Sequence, residues 1–246
     1  MMAFATTAWD RHHGGRQAGH GMANPSGGRL KPFFPYYGSK YSMAMRYPAP
    51  VPGLPVVEPF AGSAGYSCWH GQGDVLLVDA DPVIAGVWDY LIRVSEGEVM
   101  SLPELPGPGD SVDDHPGLPQ EARWLIGFWL NRGSSMPKKS RTAYSARNDR
   151  SQLNWGPRAK ERVASQVGAI RSWKVECGSY ESCPDVEAVW FVDPPYVEKG
   201  RHYRRKFSAY GDLAAWCASR KGAVVACENE GADWLPFSPL GRFKST

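Results

Sequence analysis

The most constraining feature of this 246-residue chain is a short apolar run that ends in an acid and two prolines. Residues Val189–Val192 have the pattern of a strand that is buried on both faces of a parallel sheet. They are followed by Asp193, Pro194, Pro195 and Tyr196. Proline has a fixed φ and no amide hydrogen, so the chain must leave the sheet in a stiff turn. The sequence therefore predicts a carboxylate and an aromatic ring at the carboxyl end of a strand, where open α/β sheets bind their ligands.

The chemistry of this turn indicates the kind of group that it can bind. The Asp193 carboxylate and the neighbouring backbone carbonyls only accept hydrogen bonds, and the Tyr196 ring offers a flat face. A planar group with an exocyclic amine, such as an amino-bearing nucleobase, satisfies both. The alternative is a strand end that is closed by a Pro-Pro turn and carries a half-buried tyrosine.

Composition limits the class of protein. An apolar content of 42% is enough for one sizeable core, or for a core domain with a smaller insert, and a net charge of +3 permits a polyanionic partner without demanding one. No apolar run approaches the ~18 residues of a membrane span. The five scattered cysteines include no C-x-x-C pair, which favours reduced thiols and argues against a zinc site. We expect a cytoplasmic monomer with neither a metal nor a membrane partner.

The first thirty residues are rich in glycine and lack hydrophobic periodicity. Such a segment cannot bury enough apolar surface to offset its ordering entropy. Residues 1–30 are therefore predicted to be a disordered leader.

The segment Tyr36–Lys40 predicts part of a ligand pocket. It combines aromatic rings, a glycine at position 38 that allows close approach of the backbone to a ligand, and the amine of Lys40. A molecule with a ring and a carboxylate would fit such a pocket. The alternative is an aromatic lid that packs on the core and leaves Lys40 in solvent.

The next segments predict an adenosine site. Residues 56–67 read as strand, tight turn and helix start, and a second strand over 74–78 ends at Asp79 before a helix over 82–94. Adenosine sites usually have a glycine turn after the first strand and an acid after the second. The acid accepts hydrogen bonds from the ribose hydroxyls. The turn lacks the G-x-G-x-x-G spacing for a pyrophosphate, so S-adenosylmethionine fits better than a dinucleotide. The alternative role for Asp79 is a helix N-cap.

Composition changes over residues 95–174. A proline-rich and acidic stretch precedes a predicted helix over 121–130, an amphipathic helix over 157–170 and a core strand with a turn over 173–180. Two basic stretches, one in this region and one after Tyr196, supply side chains for phosphate and base contacts. The alternative is a solvated basic surface. The candidate DNA contacts are Arg132, Lys138, Lys139, Arg141, Arg147, Arg150, Arg201, Arg204 and Arg205.

A helix over 208–219 and a strand over 223–227 complete an alternation of strands and helices. This alternation predicts an α/β fold with a mainly parallel sheet.

Together, the stretches 36–40, 58–62 and 193–196 resemble the Dam-type, alpha-class DNA N6-adenine methyltransferases of bacteria and phages. Asp193-Pro194-Pro195-Tyr196 matches the catalytic motif of this family at all four positions. The cofactor turn F-x-G-x-G is matched at Phe60 and Gly62, but Ala64 replaces its second glycine and Gly65 follows. Some RNA guanine methyltransferases also carry Asp-Pro-Pro-Tyr, but their two motifs lie much closer together than Gly62 and Asp193 do here.

The resemblance implies a fold, an activity and a set of roles. It implies a Rossmann-like, S-adenosylmethionine-dependent methyltransferase sheet with helices on both faces, formed by residues 31–94 and 175–246, and a target-recognition insert at 95–174. The expected activity is site-specific methylation of the N6 amino group of a flipped-out adenine in double-stranded DNA, in a restriction–modification or phage setting. Alternatives are a methyltransferase for another amino group (DNA cytosine N4 or an RNA base) and a catalytically weak DNA-binding relative. The implied adenine-holding residues are Asp193, Pro194, Pro195 and Tyr196, and the implied cofactor contacts are Tyr36, Gly38, Lys40, Glu58, Phe60, Gly62, Asp79 and Asp193.

Overall fold

A seven-stranded mixed sheet organises the part of the chain that the computed structural model describes, residues 2–7, 28–71, 73–130, 132–147, 154–197 and 207–240. The order across the sheet is β4-β3-β2-β5-β6-β1-β7. Strands β2 to β6 are parallel, whereas β1 is antiparallel to both of its neighbours. The predicted α/β fold is therefore confirmed, and the arrangement is compatible with a Rossmann-like fold. The strands are β1 (Met2–Thr7), β2 (Val56–Glu58), β3 (Val75–Asp79), β4 (Lys174–Cys177), β5 (Ala188–Val192), β6 (Gly222–Asn229) and β7 (Ser238–Pro239).

Helices lie between the parallel strands, as the sequence alternation predicts. The predicted helices over 82–94, 121–130, 157–170 and 208–219 are confirmed with small shifts of their ends. Short 3-10 helices are formed by Tyr41–Arg46, Val112–Asp114, Gly168–Ile170 and Tyr180–Ser182. The α-helices among the described residues are α1 (Gly65–His70), α2 (Pro82–Arg93), α3 (Glu96–Ser101), α4 (Gln120–Leu130), α5 (Ala143–Arg147), α6 (Pro157–Val167) and α7 (Tyr210–Ser219).

Strand β5 is buried on both faces because alternate side chains enter two different apolar clusters. Phe191 lies in the cluster that also contains Trp88 of α2. Trp190 points to the opposite side and packs in the cluster that contains Leu213 of α7. Helices therefore cover both faces of the sheet, which explains why this strand is apolar throughout rather than alternating.

The chain changes direction across the sheet between β2 and β5. From β2 it proceeds outward through β3 to β4, and it then returns to place β5 on the other side of β2. Val57 of β2 pairs with Trp190 of β5 in parallel register, so the carboxyl ends of the two strands lie side by side. Such a switch point is where open α/β sheets leave a crevice for ligands. Here Glu58 and Asp193 stand at its two sides.

Strand β1 corrects the predicted disordered leader. Met2–Thr7 pairs antiparallel with β6 over its whole length, from Met2 opposite Asn229 to Thr7 opposite Val224. Its Ala3 and Ala5 side chains are buried. Alanine, phenylalanine and threonine in this short stretch gain a ladder of hydrogen bonds on an edge that β6 would otherwise leave exposed. At the other end of the predicted leader, Leu30 is buried in the main core and its amide donates to the Cys68 carbonyl at 3.0 Å. Residues 1 and 8–27 lie outside the described residues.

Two further local predictions are corrected. The core strand predicted within residues 173–180 is β4, which lies at the edge of the sheet with an exposed Cys177, because β3 is its one partner among the described strands. The alternative role of Asp79 as a helix N-cap is also wrong, because α2 is capped by Asp81, whose carboxylate accepts a hydrogen bond from the amide of Val83 at 3.0 Å.

Residues 95–174 share the main hydrophobic core. Leu125, Phe128 and Trp155 belong to the same buried cluster as Phe33 and Trp88. The described part of this region therefore packs directly on the sheet-covering helices. Its role in target recognition stays a prediction.

Candidate functional site

A cavity of about 330 Å³ opens at the carboxyl ends of β2, β3 and β5, at the switch point of the sheet. The segment before the Tyr41–Arg46 helix forms another of its walls. The described lining of the cavity thus comes from six separate stretches of the sequence, residues 36–40, 58–65, 79–81, 179–181, 191–195 and 207–209. Among the residues predicted to bind ligand, those that line it are Tyr36, Gly38, Lys40, Glu58, Phe60, Gly62, Asp79, Asp193 and Pro195.

Lys40 is buried inside the protein, with 3% of its surface exposed, so the alternative of a solvated lysine is wrong. Its Nζ donates hydrogen bonds of 2.7 Å to the carbonyl oxygen of Gly38 and to Oδ2 of Asp193. Gly38 has φ +78°, a value that glycine adopts without strain and that lets its carbonyl turn toward the amine. The Lys40 amine therefore fixes the Asp193 carboxylate relative to the loop before the 3-10 helix.

The second oxygen of the Asp193 carboxylate is available as a hydrogen-bond acceptor. Its Oδ1 is buried and has no hydrogen-bond partner among the described residues. Burial raises the pKa of the carboxyl, and the Lys40 charge opposes this shift. The Tyr196 hydroxyl is near enough to lower this pKa further, although it does not reach hydrogen-bonding geometry. A buried acceptor without a donor is costly, and an incoming N–H group would satisfy it.

Glu58 is a second buried acid at the same point. It is 2% exposed, and its Oε1 accepts a hydrogen bond of 2.8 Å from the amide of Ser67 in α1. Burial raises the pKa of this carboxyl to about 7, and the hydrogen bonds from Ser67 only partly offset the effect of burial. Glu58 therefore changes its charge near neutral pH.

The turn after β2 is held by Asp79 at the end of β3. Oδ2 of Asp79 accepts from the amide of Gly62 at 2.9 Å, and Oδ1 accepts from the amide of Asp81 at 2.8 Å. Gly62 has φ +45°, and a Cβ at this position would lie 3.1 Å from the Tyr36 ring. Glycine at 62 thus permits both the turn and the close approach of Tyr36.

Two small residues complete the turn in a way that explains the departure from the F-x-G-x-G pattern. Ala64 has φ +46° and ψ +47°, the left-handed conformation that glycine adopts most readily. Gly65 lies against the backbone of the Lys40 segment, since a Cβ there would be 2.5 Å from the Tyr41 amide nitrogen. The backbone at position 64 therefore adopts a conformation that is typical of glycine, and position 65 requires glycine because it has no room for a Cβ.

The cavity also has an aromatic wall that the sequence does not predict. The rings of Phe60 and Tyr180 stack with centroids 5.8 Å apart, and Phe207 meets Phe60 edge-on at 5.5 Å. All three rings line the cavity. Tyr180 follows the edge strand β4 and Phe207 precedes α7, so no local pattern indicates that they converge on Phe60.

Tyr196 lies differently from its predicted stacking position. Neither it nor Pro194 is among the residues that line the cavity. The Tyr196 side chain is 7% exposed, and Lys40 Nζ lies 4.7 Å from the centre of its ring. The adjoining turn is held by the Tyr210 hydroxyl, which donates to the Pro195 carbonyl at 2.6 Å. The Tyr196 ring thus packs against the Lys40 amine and does not line the cavity in this structure.

The predicted DNA contacts divide into three groups. Arg132, Lys138, Lys139 and Arg147 are exposed, and the amide of Tyr37 in the cavity wall donates to the carbonyl of Ser134 at 3.2 Å, so this basic stretch adjoins the cavity. Arg141 does not fit the prediction: it is 6% exposed and donates to the Leu105 carbonyl at 3.0 Å, because it stabilises the loop from inside. Arg150, Arg201, Arg204 and Arg205 lie outside the described residues.

Comparison of the chain with models of protein families gave no match, and comparison with curated proteins gave none either. Among the described residues, no helix has the length and apolar character needed to cross a membrane. In the same part of the chain, no group of three or more His, Cys, Asp or Glu side chains is arranged to hold a metal ion. The site must therefore be interpreted from its own geometry.

Proposed function

We propose that this protein is an S-adenosylmethionine-dependent methyltransferase that acts on the N6 amino group of adenine in DNA. The observation that supports this most strongly is the position of Asp193, with a buried free acceptor, beside Lys40 and Glu58 in a cavity at the switch point. The motif Asp193-Pro194-Pro195-Tyr196 and the basic surface beside the cavity agree with this function.

The residues of the cavity fit the methyl donor. The aromatic wall of Phe60 and Tyr180 would hold an adenine ring, and the Asp79 carboxylate in the cavity wall would accept hydrogen bonds from ribose hydroxyls. When bound, S-adenosylmethionine supplies a methyl group on a positively charged sulfur. Gly62 and Gly65 keep the turn free of side chains where the donor would lie against the backbone.

The target amine would bind at Asp193. An adenine that has rotated out of the duplex presents an exocyclic NH2, and Asp193 Oδ1 can accept one of its hydrogens. Methyl transfer would replace the S–CH3 bond of the donor by an N–CH3 bond, and the amino group would lose one proton to solvent. Positioning by the rigid Pro-Pro turn and by the Lys40 contact would supply most of the acceleration. Stacking on Tyr196 requires that its ring, now buried, become accessible when DNA binds.

A radiolabelled methyl-transfer assay on duplex DNA, followed by nucleoside analysis of the product, tests the proposal. We expect labelled N6-methyladenine with the wild-type protein and none with Asp193→Ala. Asp185→Ala is the matched control, because Asp185 is an exposed acid near the opposite end of β5. Turnover that persists in Asp193→Ala would refute the assigned role.

The same assay separates the alternatives. Label in N4-methylcytosine or in RNA would point to a methyltransferase for another amino group. DNA binding without any transfer, together with no calorimetric signal for S-adenosylmethionine, would point to a relative that only binds DNA. Tyr196→Phe should retain more activity than Tyr196→Ala if the ring supports the base, whereas equal losses would exclude stacking.

A further inference from the structure

The cavity has a marked excess of acids. Its described lining contains five carboxylate side chains and one amine, that of Lys40. Lys40 already pairs with Asp193 at 2.7 Å. The acids of the described lining therefore outnumber its amines by five to one, which favours a ligand that carries positive charge. The acids are Glu58, Asp79, Asp81, Glu181 and Asp193.

Glu58 is the most deeply buried of these acids. The charged and titratable groups that face it are Lys40 from the loop before the 3-10 helix, Asp193 from the end of β5, Tyr66 and Cys68 from α1, and Cys227 from β6. Of these, Lys40 is the cation, and its short contact is with Asp193 rather than with Glu58. The ionised form of Glu58 therefore lacks an ion-pair partner of its own in this group.

We propose that Glu58 is a specificity residue that makes the cavity prefer the positively charged methyl donor over its demethylated product, and that it releases a proton when the donor binds. This inference rests on the proposed function, because it takes S-adenosylmethionine as the ligand. The two ligands differ by one methyl group and by the charge on sulfur. A carboxylate in the cavity discriminates between them through charge, whereas an apolar contact with one methyl group would discriminate only weakly.

Proton release is expected because binding of the donor is linked to the ionisation of Glu58. Burial places the pKa of Glu58 at about 7, so near neutral pH the empty protein holds this proton about half of the time. A positive charge in the cavity favours the carboxylate and lowers this pKa. The product lacks the sulfonium charge and leaves Glu58 closer to its state in the empty protein. The preference for the donor should therefore grow as the pH rises through 7.

Isothermal titration calorimetry of the full chain tests this without any turnover. S-adenosylmethionine and S-adenosylhomocysteine are titrated near neutral pH in two buffers with different ionisation enthalpies, and between about pH 6 and about pH 8. We expect release of about half a proton from Glu58 with the donor, and an increase of up to about tenfold in the preference for the donor over this range. The α-amino group of each ligand also titrates, so the contribution of Glu58 is the difference between the wild type and Glu58→Gln.

Glu58→Gln keeps a carbonyl oxygen for the Ser67 amide and removes the titration. It should bind both ligands, release less proton with the donor, and lose the pH-dependent part of the preference. Glu96→Gln, which changes an exposed acid in α3, should match the wild type. If Glu58→Gln folds poorly, the wild type in two buffers still compares the donor with the product, and the α-amino group is common to both ligands. Equal proton release with the two ligands would then overturn the inference.

The outcomes separate this inference from the proposed function. If both ligands bind with equal proton release and Glu58→Gln changes nothing, Glu58 has no such role and the proposed function stands. If neither ligand binds to the folded wild-type protein, the proposed function fails and this inference fails with it.

Discussion

The amine of Lys40 lies 2.7 Å from the carboxylate of Asp193, although 153 positions separate the two residues in the sequence. The contact joins the loop before the Tyr41–Arg46 helix to the turn after β5, and these are two walls of the cavity. Lys40 is buried, and the Asp193 side chain is 17% exposed. Removal of either partner therefore leaves a charge that water screens poorly.

Replacement of Lys40 by methionine should lower the free energy of unfolding by about 3 kcal/mol, because Asp193 then loses its counter-charge. Replacement of both residues, Lys40→Met with Asp193→Asn, should cost less than the sum of the two single changes by at least about 1 kcal/mol. Urea unfolding of the four proteins at neutral pH measures this coupling. Additive losses would show that the pair does not act as a unit.

The exposed pair of Lys221 and Asp185, 2.8 Å apart, is the control for this cycle. Both side chains are more than half exposed, so solvent screens their attraction. Lys221→Met should leave the unfolding midpoint nearly unchanged.

Ala64→Gly should be almost neutral, although Ala64 is a buried alanine. Relief of the left-handed conformation gains about 1–2 kcal/mol. Loss of a buried methyl group costs about 0.8 kcal/mol, and the greater freedom of glycine in the unfolded chain costs about 0.4–1 kcal/mol. The net change should be close to zero, within about 0.8 kcal/mol in either direction.

Ala164→Gly provides the contrast, because Ala164 is equally buried but lies inside helix α6. This substitution relieves no left-handed conformation. It should lower the free energy of unfolding by about 2 kcal/mol, because glycine has a lower helix propensity and a buried methyl group is lost. Urea unfolding of both variants makes the comparison. Equal losses would contradict the left-handed conformation of Ala64.

The turn around Ala64 also shows which features of the fold can be predicted from the sequence and which cannot. The strand before Asp193 and its end at two prolines follow from local rules, as does the helix after Pro82, and the structure has both. Which of residues 62–65 takes a left-handed conformation is not a local property. It depends on the Tyr36 ring and on the Lys40 backbone, which come from a different part of the chain.

Longer-range pairing explains the remaining differences. Met2–Thr7 is too short for a clear periodic signal, and its partner β6 lies near the other end of the sequence. The aromatic wall of the cavity similarly joins Phe60 to rings from two later segments. The direction of the Tyr196 ring depends on packing against Lys40, which the motif alone does not specify.

Glu58 should make the protein less stable as the pH rises from about 4.5 to about 7. Its pKa in the folded state is about 7, above its ordinary value of 4.5, so in this window the folded protein binds more protons than the unfolded chain. The free energy of unfolding then falls with pH, by on the order of 3 kcal/mol across the window. Above pH 7 the contribution of Glu58 is constant.

Glu58→Gln should remove this slope, which urea unfolding at a series of pH values measures as the difference between the variant and the wild type. The difference cancels the contributions of Asp193 and Glu228, whose carboxyls also have pKa values raised by burial. Glu96→Gln should keep the wild-type profile. Parallel profiles for the wild type and Glu58→Gln would show that Glu58 does not titrate in this range.

Gly65→Ala should destabilise the protein by about 1–3 kcal/mol, since the new Cβ would lie 2.5 Å from the Tyr41 amide nitrogen and 3.0 Å from that of Lys40. Both neighbours are backbone atoms, which cannot rotate away as the end of a side chain can. Gly97→Ala is the matched control, because Gly97 also lies in the first turn of a six-residue helix and has nothing within 4 Å of its Cβ position. It should be neutral or slightly stabilising in urea unfolding.

The same substitution tests whether Gly65 positions Lys40. If the displaced backbone draws the Lys40 amine away from Asp193, the cost of Gly65→Ala includes the loss of that ion pair. In a Lys40→Met background the pair is already absent, so Gly65→Ala should then cost at least about 1 kcal/mol less. A purely steric role at the start of α1 predicts the same cost in both backgrounds, because the clash with the Tyr41 amide does not depend on the side chain at position 40. A reduced cost would make Gly65 a positioning residue for the Lys40–Asp193 contact.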